Sequence, residues 1–302
     1  MTTYFFDRFE FNLEQKYWLC WIYGTTYHWP TAYIIWNEFP DFALVGYDKL
    51  NEWNTENFKR LRYQTDTKWN KGHLAEMFKS YRDRLKGYES QEAYFNKLCD
   101  KPHDPYSNFL NCYNAIIRDF HKFGRYSTWF YLQILKQCVG LNIEPETLLL
   151  SDPGSESHRN GFLYAMGRED LIDQPITKEQ YQEFEEIAAT VLNETRRRFP
   201  DVAHRIDYFA METCLCSFKK LFRTRDGRYL GYYLDRQAEE IQKVEKDGWI
   251  GINWKPLWQC REEIVDKKWL TNAIDPAKMH LFLKTGDIHA ELEKSALEDF
   301  FN

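Results

Sequence analysis

The sequence predicts a mostly α-helical protein, and three observations carry that expectation. Apolar residues recur at helical spacing, as in Tyr181, Phe184, Ile187, Ala188, Val191 and Leu192. The period-two alternation of β-branched residues that marks strands is scarce. Helix-start chemistry is present: Thr177 followed by Gln180 reads as a capping box, and Asn253 and Asp275 read as caps. No low-complexity linker and no internal repeat divides the chain, so residues 1–302 are expected to form one unit with two lobes around a cleft.

Residues 14–36 hold two apolar runs, predicted to be buried helices hinged at Gly24 and Pro30, with Tyr27, His28, Asn37 and Glu38 at the breaks. Up to residue 58 the chain is acidic on balance. The balance then reverses over 59–86, where Lys59, Arg60, Arg62, Lys68, Lys71 and Lys79 are interleaved with Tyr63, Trp69 and Tyr81. Such a stretch can neutralise phosphates and offer rings to unstacked bases, or it can be a solvated helix face. Residues 90–118 read as helical pieces around the polar loop with Pro102 and Pro105.

Residues 121–170 organise the rest. A basic glycine turn, Lys122, Gly124 and Arg125, precedes an apolar helix that ends near Gly140. A second apolar run, Leu148 to Leu150, then delivers Asp152 into a loop expected to hold His158, Arg159 and Asn160. Beyond it lies an amphipathic helix closed by Arg196, Arg197 and Arg198, whose cations suit a helix C-terminus. Residues 206–240 join a buried helix to a second basic cluster, with Lys219, Lys220, Arg223, Arg225, Arg228 and Arg236 beside Tyr229, Tyr232 and Tyr233. The tail from Asp247 reads as structural helix.

A formal net charge of -6 argues against coating nucleic acid by bulk charge, but leaves room for these local basic patches. Aromatic residues make up 18% of the chain, more than a core of this size needs, so some rings are candidates for base stacking. The seven cysteines form no CxxC pair and no Cys/His ligand spacing, which predicts reduced thiols and no metal cage. The first residues lack a signal-peptide pattern and no apolar run is long enough to span a bilayer, so no membrane partner is expected. Phosphate-binding glycine loops, GxSxG and HExxH are missing.

Two resemblances follow from quoted segments. The run Phe123-Gly124-Arg125-Tyr126-Ser127-Thr128, its helix and the approach to Asp152 resemble the helix-hairpin-helix region of DNA glycosylases, which implies a helical, glycosylase-like architecture. The spacing from Gly124 to Asp152 is longer than in that family, and the first hairpin glycine is replaced around Lys122 and Phe123. A likeness over most of the chain rests on YWLCWIYGTTYHWPTAYIIWNEFPD, RLRYQTDTKWNKGH, FHKFGRYSTWFY, SHRNG and FKKLFRTRDGRYLGYYLDRQAEEI. Together these segments are similar to the bacteriophage amino acid:DNA transferases, related to the α-glutamyl and putrescinyl thymine pyrophosphorylases.

The resemblance implies action on double-stranded phage DNA, in the cytoplasm of the infected host, at a flipped 5-hydroxymethyluracil that carries a pyrophosphate. The amine of an amino acid or polyamine displaces that pyrophosphate. Lys68, Lys71, Arg125, Arg159, Lys219, Lys220 and Arg228 can supply charge to the leaving group. Asp152 is the first choice of general base and His158 the second. Asn160 can read the base edge, Tyr126 or Tyr229 can stack on it, and Lys122 and Gly124 can hold the DNA backbone. No cofactor is expected beyond magnesium accompanying the pyrophosphate. A glycosylase that removes a modified base, and a DNA-binding protein without catalysis, remain the alternatives.

Overall fold

The computed structural model describes residues 2–223, 238 and 240–264, and among them every regular element is a helix. In chain order these are α1 (Thr2–Arg8), α2 (Leu13–Thr26), α3 (Trp29–Glu38), α4 (Tyr47–Asn57), α5 (Leu74–Leu85), α6 (Gln91–Leu98), α7 (Pro105–Asp119), α8 (Arg125–Val139), α9 (Glu156–Ala165), α10 (Lys178–Arg198) and α11 (Tyr208–Arg223). A helical stretch over 240–246 and the helix Lys255–Ile264 follow. The expectation of a mostly α protein holds.

At the centre α2 lies against α8. Helix α2 is buried all round, from Tyr17 to Ile22 and again from Gly24 to Thr26, as expected of a helix with no polar face. Gly24 makes the close approach possible, because a Cβ there would sit 3.0 Å from the Tyr131 ring. It therefore stays inside the helix, and the predicted hinge falls instead at Tyr27, whose φ of 47° ends α2. Pro30 opens α3, where its missing N–H costs nothing.

Most of the aromatic excess is core. Trp18, Trp21, Trp129, Tyr81 and Tyr131 are fully buried, and Trp21 stacks between Trp18 and Tyr81 at 5.1 and 5.3 Å. Such rings bring large apolar area and preferred offset geometries to one interface. The capping box at Thr177 and Gln180 forms as expected, and a second one links Asn12 and Gln15. Asn253 accepts from the backbone N–H of Lys255 just before the last described helix; Asp275 lies outside the described residues.

Two packing details position the site. Helices α9 and α11 meet backbone to backbone, since a Cβ on Gly161 would lie 2.0 Å from the carbonyl oxygen of Leu215. The α7–α8 connection is a tight turn in which Phe123 N–H donates to Phe120 O, with Lys122 in the left-handed region at φ 63°. Residues 158–160, expected in a loop, belong to α9. The loop ends earlier, where Ser155 donates back to the carbonyls of Leu149 and Asp152.

Candidate active site

Three leucines make a scaffold of backbone polar groups. Between α8 and α9, Leu148 to Leu150 run without helical hydrogen bonds, so their amides and carbonyls need partners from elsewhere. The Glu185 carboxylate of α10 accepts from both Leu148 N–H and Leu150 N–H at 2.8 Å. The Leu148 carbonyl accepts from Arg125 Nη2 at 3.0 Å, and that of Leu150 from Arg159 Nη1 at 3.3 Å. Leu149 is held at φ 51°, which turns the chain sharply into Asp152. Burial pushes the Glu185 carboxyl above its usual range, while the two amides pull it back down.

At the end of this turn Asp152 is half-buried, and its Oδ2 accepts from the Tyr113 hydroxyl at 2.9 Å. One carboxylate oxygen is thus fixed by α7. Burial and the nearby Asp152 charge raise the Tyr113 phenol, so it remains a donor.

Behind the turn lies a buried ionic group. Arg125 Nη1 donates to Glu212 Oε1 at 3.1 Å, and its Nη2 is 3.2 Å from His158 Nε2. The guanidinium lies over the Trp129 ring at 4.6 Å from its centroid. His158 Nδ1 is 3.5 Å from Glu212 Oε1, and burial together with the Arg125 charge pushes the imidazole down to about 2. A neutral ring with its proton on Nδ1 suits this setting: Nδ1–H faces Glu212 and Nε2 accepts from Arg125. Next along α11, burial and Glu212 push the Cys216 thiol up to about 12. Lys219 is buried and donates to Ser157 Oγ of α9 at 2.7 Å.

His158, Glu212 and Cys216 offer ligand atoms within 4.8 Å of one another. Arg125 already brings a positive charge to both His158 and Glu212, and the thiol holds its proton. These three side chains form a hydrogen-bonded network around the Arg125 charge.

The structure brings Arg125, Asp152, His158, Arg159, Asn160 and Lys219 together around α8, α9 and α11. Arg159 also donates to the Tyr181 hydroxyl at 3.0 Å, and Asn160 is buried one turn from Ser157. Tyr126 packs beside Tyr27 at 5.4 Å and parallel to Phe130 at 6.4 Å. Lys122 and Gly124 are exposed in the α7–α8 turn; Gly124, at φ -86°, has no conformational need to be glycine. Lys68 and Lys71 sit apart, on and after a short 3-10 turn, Thr65–Asn70, that is tied to the end of α2. Lys71 Nζ donates to Lys59 O, and burial with the Arg62 charge lowers its affinity for the proton. The side chain of Lys220, and Arg228 and Tyr229 altogether, lie outside the described residues.

Sequence reasoning passed over Glu185, Glu212, Tyr113 and Ser157. Glu212 had a legible signal, since a lone carboxylate inside the apolar run YFAMETCLC needs a buried partner. The others depend on contacts between distant helices.

Comparison with known proteins bears on this geometry. The chain is 27% identical over 265 residues to a serinyltransferase of Salmonella phage ViI, covering 83% of this chain and 63% of that one. No solved structure matches. The family model described as amino acid:DNA transferase matches residues 3–227, a span that takes in every contact of the Asp152 turn and of the buried network behind it. The chain belongs to the amino acid:DNA transferase family.

Proposed function

We propose that this protein joins the amine of an amino acid to a thymine-like base in DNA, displacing pyrophosphate from the 5-methylene carbon of a pyrophosphorylated 5-hydroxymethyluracil. The observation that carries the reading is Asp152, a half-buried carboxylate held by Tyr113 on a turn whose backbone is bound by Glu185, Arg125 and Arg159. A fixed carboxylate on such a turn suits proton transfer at a defined point.

In the proposed step the amine lone pair attacks the methylene carbon, and the bond from that carbon to the pyrophosphate oxygen breaks. The new C–N bond makes the nitrogen acidic, and Asp152 takes its proton. Arg159, which binds the Leu150 carbonyl, and Lys219, which binds Ser157, are the cations assigned to the leaving group. Lys68, Lys71, Lys220 and Arg228 are further candidates for that charge. Arg125 acts from behind, holding the Leu148 carbonyl and hence the turn, and His158 lies against the same guanidinium. Asn160 faces the base edge and Tyr126 its ring in this arrangement, which requires the base to leave the duplex. Lys122 and the turn at Gly124 would hold the backbone phosphates.

The name of the phage relative makes serine the first donor to test. Duplex DNA carrying pyrophosphorylated 5-hydroxymethyluracil is incubated with the protein and serine, then digested, and its nucleosides are weighed. A nucleoside heavier by serine less water than the 5-hydroxymethyl form is the expected product. An abasic site would identify a glycosylase, and unchanged nucleosides across an amino-acid and polyamine mixture would end the reading.

A further inference from the structure

Three Phe, Tyr or Trp rings are exposed among the described residues, Trp69, Phe199 and Tyr88, and Trp69 is the most exposed. Trp69 is 72% exposed, although the turn that carries it is firmly anchored. Thr67 on one side donates to the Thr26 carbonyl at 2.7 Å, and Asn70 on the other donates to the Thr25 carbonyl at 2.9 Å. Both anchors are buried, so Trp69 and the exposed Lys68 between them are held at the tip of a fixed support. Lys68 Nζ lies over the Trp69 ring at 4.7 Å from its centroid. Held between two buried anchors, the ring and the ammonium above it are presented as one surface.

The neighbourhood says which partner. Thr26 precedes Tyr27, whose ring meets Tyr126 at the start of α8. Three residues beyond Asn70, the His73 ring meets His121 of the α7–α8 turn at 6.0 Å. His121 itself is fixed by a hydrogen bond from its N–H to Ser80. The Trp69 turn is therefore joined on one side to the aromatic residues at the head of α8, and on the other to the turn carrying exposed Lys122. A flat apolar ring under an ammonium, beside a second exposed lysine, complements a polyanion with stacked aromatic units.

We infer that Trp69 enters the base stack of bound DNA, with Lys68 on the adjoining phosphate, and so supports the duplex beside the extruded base. This rests on DNA being the substrate, as proposed above. It does not rest on the transfer chemistry.

The test uses the full chain and an unmodified duplex containing 2-aminopurine, whose fluorescence rises when it is unstacked. Native protein should raise that signal on binding. Trp69→Ala should abolish the rise and weaken binding about five- to one-hundred-fold, the range for losing one base–aromatic stack. Trp69→Phe should retain most of both, and Lys68→Ala should lower the salt slope of binding by about one. Melting temperatures of the variants should match the native protein, because the ring is exposed. A native protein that leaves 2-aminopurine dark, or a Trp69→Ala variant that brightens it equally, overturns the inference. If no amine transfer is found while the fluorescence rise still depends on Trp69, the proposed reaction fails and this inference stands.

Discussion

Removing the Glu212 carboxylate would leave the Arg125 guanidinium buried beside a neutral imidazole, with one hydrogen bond lost and its charge uncompensated. Glu212→Ala should therefore cost about 3–5 kcal/mol in urea unfolding, and a second change, Arg125→Met, should restore much of it because the stranded charge is gone. A double variant no more stable than Glu212→Ala would contradict a pairing role. His158 adds a pH signature. Its folded affinity for the proton is depressed from 6.5 to about 2, so the unfolded chain takes up a proton that the folded chain refuses. Its contribution is intact above pH 6.5 and is lost as pH falls toward 2, with a slope of up to roughly 1.4 kcal/mol per pH unit. His158→Gln should flatten that slope in unfolding curves taken between pH 7 and 4. An unchanged slope would mean that the imidazole is not the group responsible.

Helices were legible in the sequence wherever the signal was local, and lost where it depended on a neighbour. The box at Thr177 and Gln180 forms as written, and α8 ends at Gly140, which adopts φ 71°. Gly24 looked like a hinge because glycine is a poor helix former, yet its role is set by Tyr131, more than a hundred residues away. Gly161 likewise sits inside α9 with α11 packed against it, whereas residues 158–160 were expected in the loop that follows Asp152. The Asp152 turn was legible as an apolar run leading to a carboxylate; its four backbone clamps were not, since they come from α8, α9 and α10. Gly161→Ala tests the helix contact. Its methyl would meet the Leu215 carbonyl, so α9 and α11 must separate, at a cost of about 1–3 kcal/mol in thermal or urea unfolding. Because Lys219 reaches Ser157 across the same interface, that variant should also lose transfer activity beyond its loss of stability.

On the scale of the whole molecule, most described aromatic rings are buried or packed half-buried against the core, and Trp69, Phe199 and Tyr88 are exposed. The charge pattern resolves similarly. Part of the basic stretch over 59–71 holds the fold together: Arg62 pairs with Asp247 through two hydrogen bonds, and Arg60 lies over Trp249 at 4.1 Å. Lys68 and Trp69 remain outward. Tyr4 and Arg8 of α1 bind Glu263 near the far end of the described chain, and Tyr33 donates to the Asn253 carbonyl, so the N-terminal helices are tied to the last described one. On this frame the Asp152 turn is assembled from α7 to α11, and the proposed DNA contacts lie along α2, the Trp69 turn and the α7–α8 turn.

The account turns on Asp152 as the group that accepts the amine proton. The direct measurement is a single-turnover rate of serine transfer to pyrophosphorylated DNA by native protein and by Asp152→Asn, with DNA affinity measured in parallel. Asparagine keeps the shape and can still accept from Tyr113, so the fold and DNA binding should be unchanged while the rate falls about 10²–10⁴-fold. An Asp152→Asn protein that transfers serine as fast as the native one would contradict the account.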